Sequence, residues 1–306
     1  MVFCVFIKIV YFCCVKILKK LFAFDCECEK MCVMKKFNDK RVLITGGASG
    51  IGRIMGAMAL EKGAAALVIW DINQANIDST IAELTPKGKV VGYCIDISDE
   101  QAVISTAKAV KEQVGDIDIL INCAGIITSN KTFDKCSTEE IHRTMNINTI
   151  APMIVSMQFL PDMIARNSGH ICNISSAGGL ISNPRMSIYA ASKWAVIGWS
   201  DSVRIELEQL GSKVKVTTIA PYYIKTGMFN GVKSPIVPLM EPEYAARQTI
   251  RAIEKNKRIK VLTRLIPVPY HFVRFMQGIL PTVVFDWFFG EIFGIYHSMD
   301  NFTGRK

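Results

Sequence analysis

A tyrosine and a lysine four residues apart are the pair of side chains in this sequence best suited to acid–base chemistry. Tyr189 and Lys193 lie in the helix-like stretch 188–210, and an i,i+4 spacing places both side chains on one helix face. A free phenol has a pKa of about 10 and is a poor base at neutral pH. A nearby ammonium group stabilises the phenolate, so we expect Lys193 to lower the pKa of Tyr189. Taken alone, the pattern also fits an ordinary exposed helix face.

A serine upstream of this pair could hold a substrate. Ser176 follows the strand-like segment 169–175, and its hydroxyl can donate a hydrogen bond to a substrate oxygen beside Tyr189. Ser175 is adjacent, but the alternation of side chains along a strand favours Ser176. A serine at this place also fits a simple turn residue.

A glycine-rich turn near the start of the domain is suited to binding phosphate. The segment Thr45–Gly52 joins a strand-like stretch to a helix-like one, and it contains Gly46, Gly50 and Gly52. Without side chains at these positions, backbone N–H groups and a helix N-terminus can approach a pyrophosphate. Glycines also occur in other strand–helix junctions, but a strand before and a helix after the turn favour a dinucleotide site.

The next strand-like segment ends in a carboxylate, Asp71. A carboxylate about 20 residues past the glycines accepts hydrogen bonds from the ribose hydroxyls and repels a 2′-phosphate. This favours NAD over NADP. Asp71 could also cap the following helix, and Arg53 could contact a phosphate.

From Arg41 the chain alternates between short segments rich in Val, Ile or Leu and longer helix-like segments. This alternation predicts one α/β domain over residues 41–263, a doubly wound Rossmann fold with a seven-stranded parallel sheet. The strands are expected at 41–45, 67–71, 89–95, 117–121, 169–175, 213–219 and 258–263. The helices are expected at 51–62, 74–84, 99–114, 138–166, 188–210 and 242–256.

The glycine spacing TGxxxGxG, followed in order by Ser176 and Tyr189-x-x-x-Lys193, resembles the short-chain dehydrogenase/reductase family from Arg41 to about Thr263. The segment Met145–Asn148 resembles the family's Val-Asn-Leu. The resemblance implies a catalytic tetrad of Asn146, Ser176, Tyr189 and Lys193, in which Asn146 holds a water of the proton relay to Lys193. Asn148 is then structural.

The same resemblance implies a set of cofactor contacts. Asp96 would bond the amino group of the adenine ring, and Asn122 would steady the sheet beside the cofactor. The chain departs from the family pattern at Cys123, where a second Asn is usual, and at Tyr222, where Gly is usual. The cofactor residues implied are Gly46, Ser49, Gly50, Ile51, Gly52, Asp71, Asp96, Ile97, Asn122, Ala124, Gly125, Tyr189, Lys193, Pro221, Ile224 and Thr226.

Both ends of the chain are apolar and aromatic. Of 16 Phe residues, 13 lie outside the stretch from Asn38 to Arg264. Residues 1–24 are predicted to form an amphipathic interfacial helix or a short membrane anchor whose lysines reach back to the membrane surface. A plain transmembrane span would bury Lys8 at a cost of about 2.5–3.5 kcal/mol, and no cleavage site of a signal peptide follows. A polar linker, 25–40, leads into the domain, and 264–306 forms an aromatic-rich C-terminal extension.

The charge and the cysteines narrow the possible partners. The net charge is +9, and residues 1–40 carry eight Lys against four carboxylates. This suits anionic lipid headgroups, whereas no aromatic-basic pattern points to nucleic acid. The four His residues lack metal-binding spacing, and Cys26, Cys28 and Cys32 lack the second pair of a zinc site, so we expect no metal. Scattered cysteines suit reduced thiols facing the cytosol.

The segments 221–229 and 239–245 resemble the membrane-associated retinol dehydrogenase and 17β-hydroxysteroid dehydrogenase branch of the family. This implies NAD-dependent oxidation of a lipophilic alcohol, retinol-like or steroid, by a homodimer on the cytosolic side of the endoplasmic reticulum or a lipid droplet. The C-terminal extension could cover the substrate or form a dimer interface. Two alternatives stay open: an NADPH-dependent carbonyl reductase of the same fold, and a nucleotide-binding membrane or lipid-droplet protein with incidental catalysis.

Overall fold

A computed structural model describes residues 36–234, 238–262, 270–292, 294 and 296–304. The predicted N-terminal helix 1–24 and most of the predicted linker lie outside the described residues. The end of that linker differs from the prediction, because Phe37 is fully buried in the core and Asp39 donates its N–H to the carbonyl of Gly63. An apolar ring at this position packs under the sheet, so the domain begins before Arg41.

The centre of the domain is one parallel sheet of seven strands in the order β3-β2-β1-β4-β5-β6-β7. This confirms the predicted single Rossmann domain. The order reverses between β1 and β4, and in such sheets ligands bind outside the carboxyl ends of the strands at that point. The strands are β1 (Arg41–Thr45), β2 (Ala66–Asp71), β3 (Val90–Cys94), β4 (Ile119–Asn122), β5 (His170–Ile174), β6 (Lys215–Pro221) and β7 (Ile259–Leu262).

Helices cover both faces of the sheet, which is why the central strands are apolar at nearly every position. The helices are α1 (Gly50–Glu61), α2 (Gln74–Leu84), α3 (Glu100–Gln113), α4 (Thr138–Met145), α5 (Ala151–Ala165), α6 (Ser187–Gln209), α7 (Pro242–Glu254), α8 (Tyr270–Ile279) and α9 (Thr282–Asp286).

The strand period of two divides the core into two layers. Ile44 and Ile69 point to the face that α1 and α7 cover, together with Met55 and Ile250. Their neighbours along the strands point to the opposite face, which α3, α5 and α6 cover. Parallel register, with Leu43 beside Leu120, keeps each layer continuous across the sheet.

The predicted helix 138–166 is divided in the structure. A π-helical turn, Asn146–Ile150, separates α4 from α5. Such single wide turns inside helices occur frequently at functional sites. Periodicity alone could not reveal the turn, because the apolar pattern continues on both sides of it.

The described part of the C-terminal extension packs on the domain. Phe285 of α9 is buried against Ile181, Met276 and Leu280, and Gln277 of α8 donates to the carbonyl of Leu180. A π-helical turn, Trp287–Ile292, follows α9. In the parts of the chain that the structure describes, no helix combines the length and apolar character needed to cross a membrane.

Candidate active site

The glycine turn lies at the carboxyl end of β1, where the strand order reverses. Gly46 has a positive φ of 66°, and a Cβ at Gly52 would overlap the carbonyl oxygen of Gly46. A side chain at residue 52 would therefore push α1 away from the turn. Ser49 is the N-cap of α1 but makes no side-chain capping bond, and the first turn of α1 carries no acidic residue. These features leave the positive end of the helix dipole available to an anionic group.

A cleft of about 790 Å³, including the solvent at its mouth, runs from this turn to the start of α6. Twelve of the cofactor residues implied by the sequence line it, namely Gly46, Ser49, Gly50, Ile51, Gly52, Ala124, Gly125, Tyr189, Lys193, Pro221, Ile224 and Thr226. The turn, the end of β4, the start of α6 and the loop after β6 therefore meet at one place.

Asp71 lies at the end of β2, beside the glycine turn but outside the cleft lining. Its two carboxylate oxygens accept hydrogen bonds from the backbone N–H groups of Ala48 (3.1 Å) and Asn73 (3.2 Å). The helix cap that we considered for Asp71 belongs to Asn73 instead, whose side chain accepts from the N–H of Asn76. Arg53, the cation considered as a phosphate contact, pairs with Glu83 at 2.9 Å.

Three more of the implied cofactor residues lie outside the cleft lining. Asp96 is exposed, and one of its oxygens accepts from the N–H and hydroxyl of Ser98; Ile97 is buried next to it. Asn122 is buried, and its amide donates to Ser156 and Asn173. Asn122 thus ties β4 to α5 and β5, which agrees with a role in steadying the sheet.

Tyr189 sits near the N-terminus of α6 with 7% of its surface exposed. Burial raises the pKa of its phenol to about 12, and a hydrogen bond with the Ser176 side chain opposes this rise. The Ser176 hydroxyl also accepts a hydrogen bond from the N–H of Gly178 at 3.1 Å. Ser176 and Tyr189 are therefore brought together, as their order in the sequence suggests, although Ser176 itself is not among the residues that line the cleft.

Lys193 lies one helical turn further along α6 and is also buried, with 4% exposed. Its Nζ donates to the carbonyl oxygen of Ile174 at 3.0 Å and lies 5.7 Å from the centre of the Tyr189 ring. Burial lowers the pKa of Lys193 to about 8. In the protein without a cofactor, burial opposes charge on both groups. The lower pKa of Tyr189 that we expect from Lys193 together with a bound nicotinamide stays a prediction.

The asparagine beside Lys193 is Asn148, whereas the family resemblance had assigned Asn146. Asn148 is buried in the π turn; it accepts from the N–H of Ile126 at 2.8 Å and donates to the Ile126 carbonyl and the Ser192 hydroxyl. Its Oδ1 and the Nζ of Lys193 lie 3.3 and 3.4 Å from the point where a Cβ of Gly125 would stand. Asn146 is half-buried at the start of the turn, and its side chain makes no hydrogen bond to any described residue.

Several residues at the site were not identified from the sequence. Ser175 lines the cleft, and its hydroxyl donates to the backbone carbonyl of Lys193 at 2.8 Å. Cys123 also lines the cleft, and burial raises the pKa of its thiol to about 12. Met228 and Phe229 complete the lining. Their position in the sequence, shortly after Thr226 in the loop that follows β6, could have indicated that they belong to the site.

An apolar wall stands next to the phenol of Tyr189. The ring of Phe229 meets Tyr189 edge-on at 6.4 Å and Tyr223 at 5.0 Å between centroids. Met186, Val232 and Met299 complete this cluster. Of these neighbours of Tyr189, Phe229 also lines the cleft, together with Met228.

Comparison with other proteins gives consistent matches. Residues 40–236 match the profile described as short chain dehydrogenase. Epidermal retinol dehydrogenase 2 of Mus musculus is 38% identical over 271 residues, covering 87% of this chain and 85% of that protein. Retinol dehydrogenase 10-B of Danio rerio is 34% identical, covering 78% and 77%. A short-chain dehydrogenase/reductase from Burkholderia phymatum, solved in complex with NAD, has a similar fold (TM-score 0.71, 24% identity, 80% and 95% covered).

Proposed function

Because this chain belongs to the short-chain dehydrogenase family, whose members are oxidoreductases acting on CH–OH groups, we propose that it oxidises a lipophilic alcohol to the carbonyl with NAD. The observation that carries the proposal is that the buried side chains of Tyr189 and Lys193 line the cleft that starts at the glycine turn, with the Ser176 side chain hydrogen-bonded to Tyr189. Such a phenol can exchange a proton with an alcohol bound next to it.

The residues at the cleft fit a dinucleotide. The uncapped N-terminus of α1 and the close approach allowed by Gly52 suit a pyrophosphate. Thr226 and Ile224 also line the cleft, and the family resemblance implies that the nicotinamide amide would lie beside them. When bound, oxidised nicotinamide supplies the hydride acceptor and a positive charge beside the phenol.

The chain's own groups carry the proton. Ser176 holds the hydroxyl oxygen of the substrate, and Tyr189 takes the hydroxyl proton as general base. Lys193 orients the cofactor ribose, and its ammonium counters the charge that develops on the phenolate. We assign the water-holding role in the proton relay to Asn148 in place of Asn146, because Asn148 is the asparagine buried near Lys193.

The preference for NAD rests on the charges around Asp71. A carboxylate at the end of β2 suits free ribose hydroxyls and repels a 2′-phosphate. Arg53 is paired with Glu83, and no Lys or Arg occurs from Ile72 to Ser79. These features disfavour the alternative of an NADPH-dependent reductase.

The substrate class follows from the wall beside Tyr189. Phe229 and Met228, which line the cleft, offer little to a polar substrate but pack well against an isoprenoid chain or a steroid ring. Two of the relatives compared above carry the name retinol dehydrogenase. We therefore propose a retinol-like or steroid alcohol.

We place the enzyme on a lipid surface facing the cytosol, at the endoplasmic reticulum or a lipid droplet. Five large apolar side chains are exposed on consecutive elements of the C-terminal extension: Phe275, Ile279, Val283, Val284 and Trp287. A concentration of exposed apolar groups of this kind is typical of interaction sites, and a tryptophan at its edge suits the boundary between lipid and water.

We also propose a homodimer. Helices α3 and α5 expose Ile104, Met157 and Ile164, and two helices with exposed apolar groups suit an isologous helix–helix interface. This leaves the C-terminal extension available to lipid.

The enzymatic role is tested with Tyr189→Phe. We expect kcat to fall by a factor of about 10²–10⁴, because the acid/base group is lost, while the Kd for NAD stays unchanged. Tyr244→Phe, at a half-exposed tyrosine of α7, is the matched control and should keep wild-type activity. Unchanged turnover in Tyr189→Phe would support the alternative of a nucleotide-binding protein with incidental catalysis.

The substrate class is tested on the full chain in detergent or membrane fractions. Retinol, a steroid alcohol, a fatty alcohol and a small polar alcohol are each assayed with NAD and with NADP. We expect activity on the lipophilic alcohols with NAD. Activity on the small alcohol alone would contradict the lipophilic assignment, and equal use of both cofactors would contradict the role of Asp71.

A further inference from the structure

Three polar side chains from separate parts of the chain form a buried cluster behind the apolar wall. The amide of Asn183, in the loop after β5, donates to the phenol oxygen of Tyr223 at 2.8 Å and to the hydroxyl of Ser298 at 3.2 Å. Tyr223 and Ser298 are themselves hydrogen-bonded at 2.9 Å. Polar groups buried this deeply must bond one another, because each unsatisfied group is costly. The cluster therefore fixes Ser298 against the loops after β5 and β6.

Further contacts hold the same segment, residues 298–304, on two loops. Asn130 donates its amide to the carbonyl of Met299 at 3.0 Å, and the N–H of Lys233 donates to the carbonyl of Ser298 at 3.1 Å. The N–H of Thr303 donates to the carbonyl of Asn230 at 2.9 Å. These partners lie in the loops after β4 and β6, which border Tyr189.

The segment contributes side chains to the space around the catalytic phenol. Met299 is fully buried in the cluster that contains Tyr189 and Phe229, and Phe302 packs against the same cluster. A second cavity adjoins the cleft, since Gly125 and Met228 line both. Its far side is formed by residues 302–304 and its near side by residues 126–130.

We propose that residues 298–304 form the wall of the substrate pocket that selects long apolar alcohols, and that the Asn183–Tyr223–Ser298 cluster holds this wall in place. The proposal rests on the proposed alcohol oxidation. The hydroxyl of the substrate lies at Ser176 and Tyr189, and its apolar body extends into the second cavity against Phe302. Methionine and phenylalanine suit such a body, because they give contact area and adapt in shape.

Phe302→Ala tests the wall directly. It removes the ring from the second cavity while leaving the buried cluster and the cofactor cleft intact. Asn301→Ala is the matched control, since the side chain of Asn301 is exposed and is not part of the lining of the second cavity. We expect Phe302→Ala to raise KM for retinol by about tenfold, with little change in kcat, in KM for a small cyclic alcohol, or in the Kd for NAD. A change of the same size for both alcohols would overturn the proposal.

A binding measurement keeps the test independent of turnover. The Kd of all-trans-retinol is measured by its own fluorescence on the wild type, Phe302→Ala and Asn301→Ala. Weaker retinol binding in Phe302→Ala alone supports the proposed wall. If the wild type also oxidises no alcohol, the wall still stands and only the proposed function fails. Equal retinol affinity in all three proteins overturns the wall whatever the activity.

Ser298→Ala tests the cluster. It removes one hydroxyl and leaves Asn183 and Tyr223 bonded to each other. We expect faster proteolytic cleavage within residues 298–304 and a weaker Kd for retinol than in Asn301→Ala, with the Kd for NAD unchanged. Wild-type cleavage and retinol affinity in Ser298→Ala would show that the cluster does not hold the wall.

Discussion

The Nζ of Lys193 lies 5.7 Å from the centre of the Tyr189 ring, and it donates its hydrogen bond to the carbonyl of Ile174. Both side chains are buried, so burial lowers the pKa of Lys193 and raises that of Tyr189. The protein alone therefore disfavours the charged form of both groups. A positive charge brought into the cleft shifts the balance toward phenolate.

This pairing predicts a pH-dependent stability. Between the lowered pKa of Lys193, about 8, and its ordinary value of 10.5, the unfolded chain binds a proton that the native protein does not. The contribution of Lys193 to the free energy of unfolding should therefore rise with pH across this window, by up to about 3 kcal/mol. In Lys193→Met this rise is absent. The buried thiols of Cys123 and Cys172, whose pKa values are raised, act in the opposite sense in wild type and variant alike. The measurement is urea unfolding of both proteins between pH 7.5 and 10.5.

Lys215→Met, at an exposed lysine of β6, controls for the loss of a surface charge and should keep the wild-type pH dependence. Tyr189 acts in the opposite sense, because its raised pKa makes stability fall above pH 10, but it does so in both proteins. Parallel stability curves for the wild type and Lys193→Met would contradict the burial effect on this lysine.

The two asparagines of the π turn should differ in their mutational effects. Asn148→Ala removes bonds to Ile126 and Ser192, and the unpaired groups left behind cost about 1–3 kcal/mol of stability. We expect a lower kcat and a changed pH profile of kcat as well, since the relay to Lys193 is disturbed. The measurement is kcat from pH 6 to 10 at a temperature where both variants are folded.

Asn146→Ala is the matched control and should resemble the wild type in stability and in its pH profile. If Asn146→Ala loses activity while Asn148→Ala loses only stability, the assignment from the family pattern stands and ours fails.

The choice of cofactor should depend on Asp71. Replacing Asp71 with serine removes the charge that repels a 2′-phosphate, and it also removes a charged acceptor for the ribose hydroxyls. The preference for NAD over NADP should therefore fall about tenfold or more. The measurement is the Kd of each cofactor, taken together with thermal unfolding because Asp71 also accepts from Ala48. Asp78→Ser, at an exposed carboxylate of α2, should change neither Kd. If the ratio of the two Kd values is unchanged in Asp71→Ser, this carboxylate does not discriminate between NAD and NADP.

Lipid binding should depend on the exposed side chains of the C-terminal extension. Replacing Val283 and Trp287, which are 79% and 59% exposed, with serine removes apolar area that lipid would cover. We expect partition into phosphatidylcholine vesicles containing an anionic lipid to weaken about tenfold or more. Leu210→Ser, at another exposed apolar residue, is the control. Equal partition of the double variant and the control would show that this surface does not contact lipid.

The strands could be predicted within about two residues because each is a short apolar run that must be buried on both faces. The glycine turn was equally accessible, since only glycine tolerates the contact between residue 52 and the carbonyl of Gly46. Spacing also predicted that Tyr189 and Lys193 share a helix face. These are local properties, or properties that repeat along the sequence.

The role of each asparagine was not accessible in this way. Asn146 and Asn148 are two residues apart and chemically identical, and a π turn decides which one is buried beside Lys193. Sequence periodicity assumes a regular helix and places such residues without reference to their partners.

The positions of the strands, the place of the glycine turn and the residue types at the site follow from the sequence, because these depend on burial pattern and backbone sterics. The tertiary structure was needed for the direction of the pKa changes at Tyr189 and Lys193, for the asparagine that is buried beside Lys193 and for the place of residues 298–304. Each of these depends on groups far apart in the chain. Desolvation and hydrogen bonding act through space, and only the folded chain brings Asn183, Tyr223 and Ser298 within bonding distance.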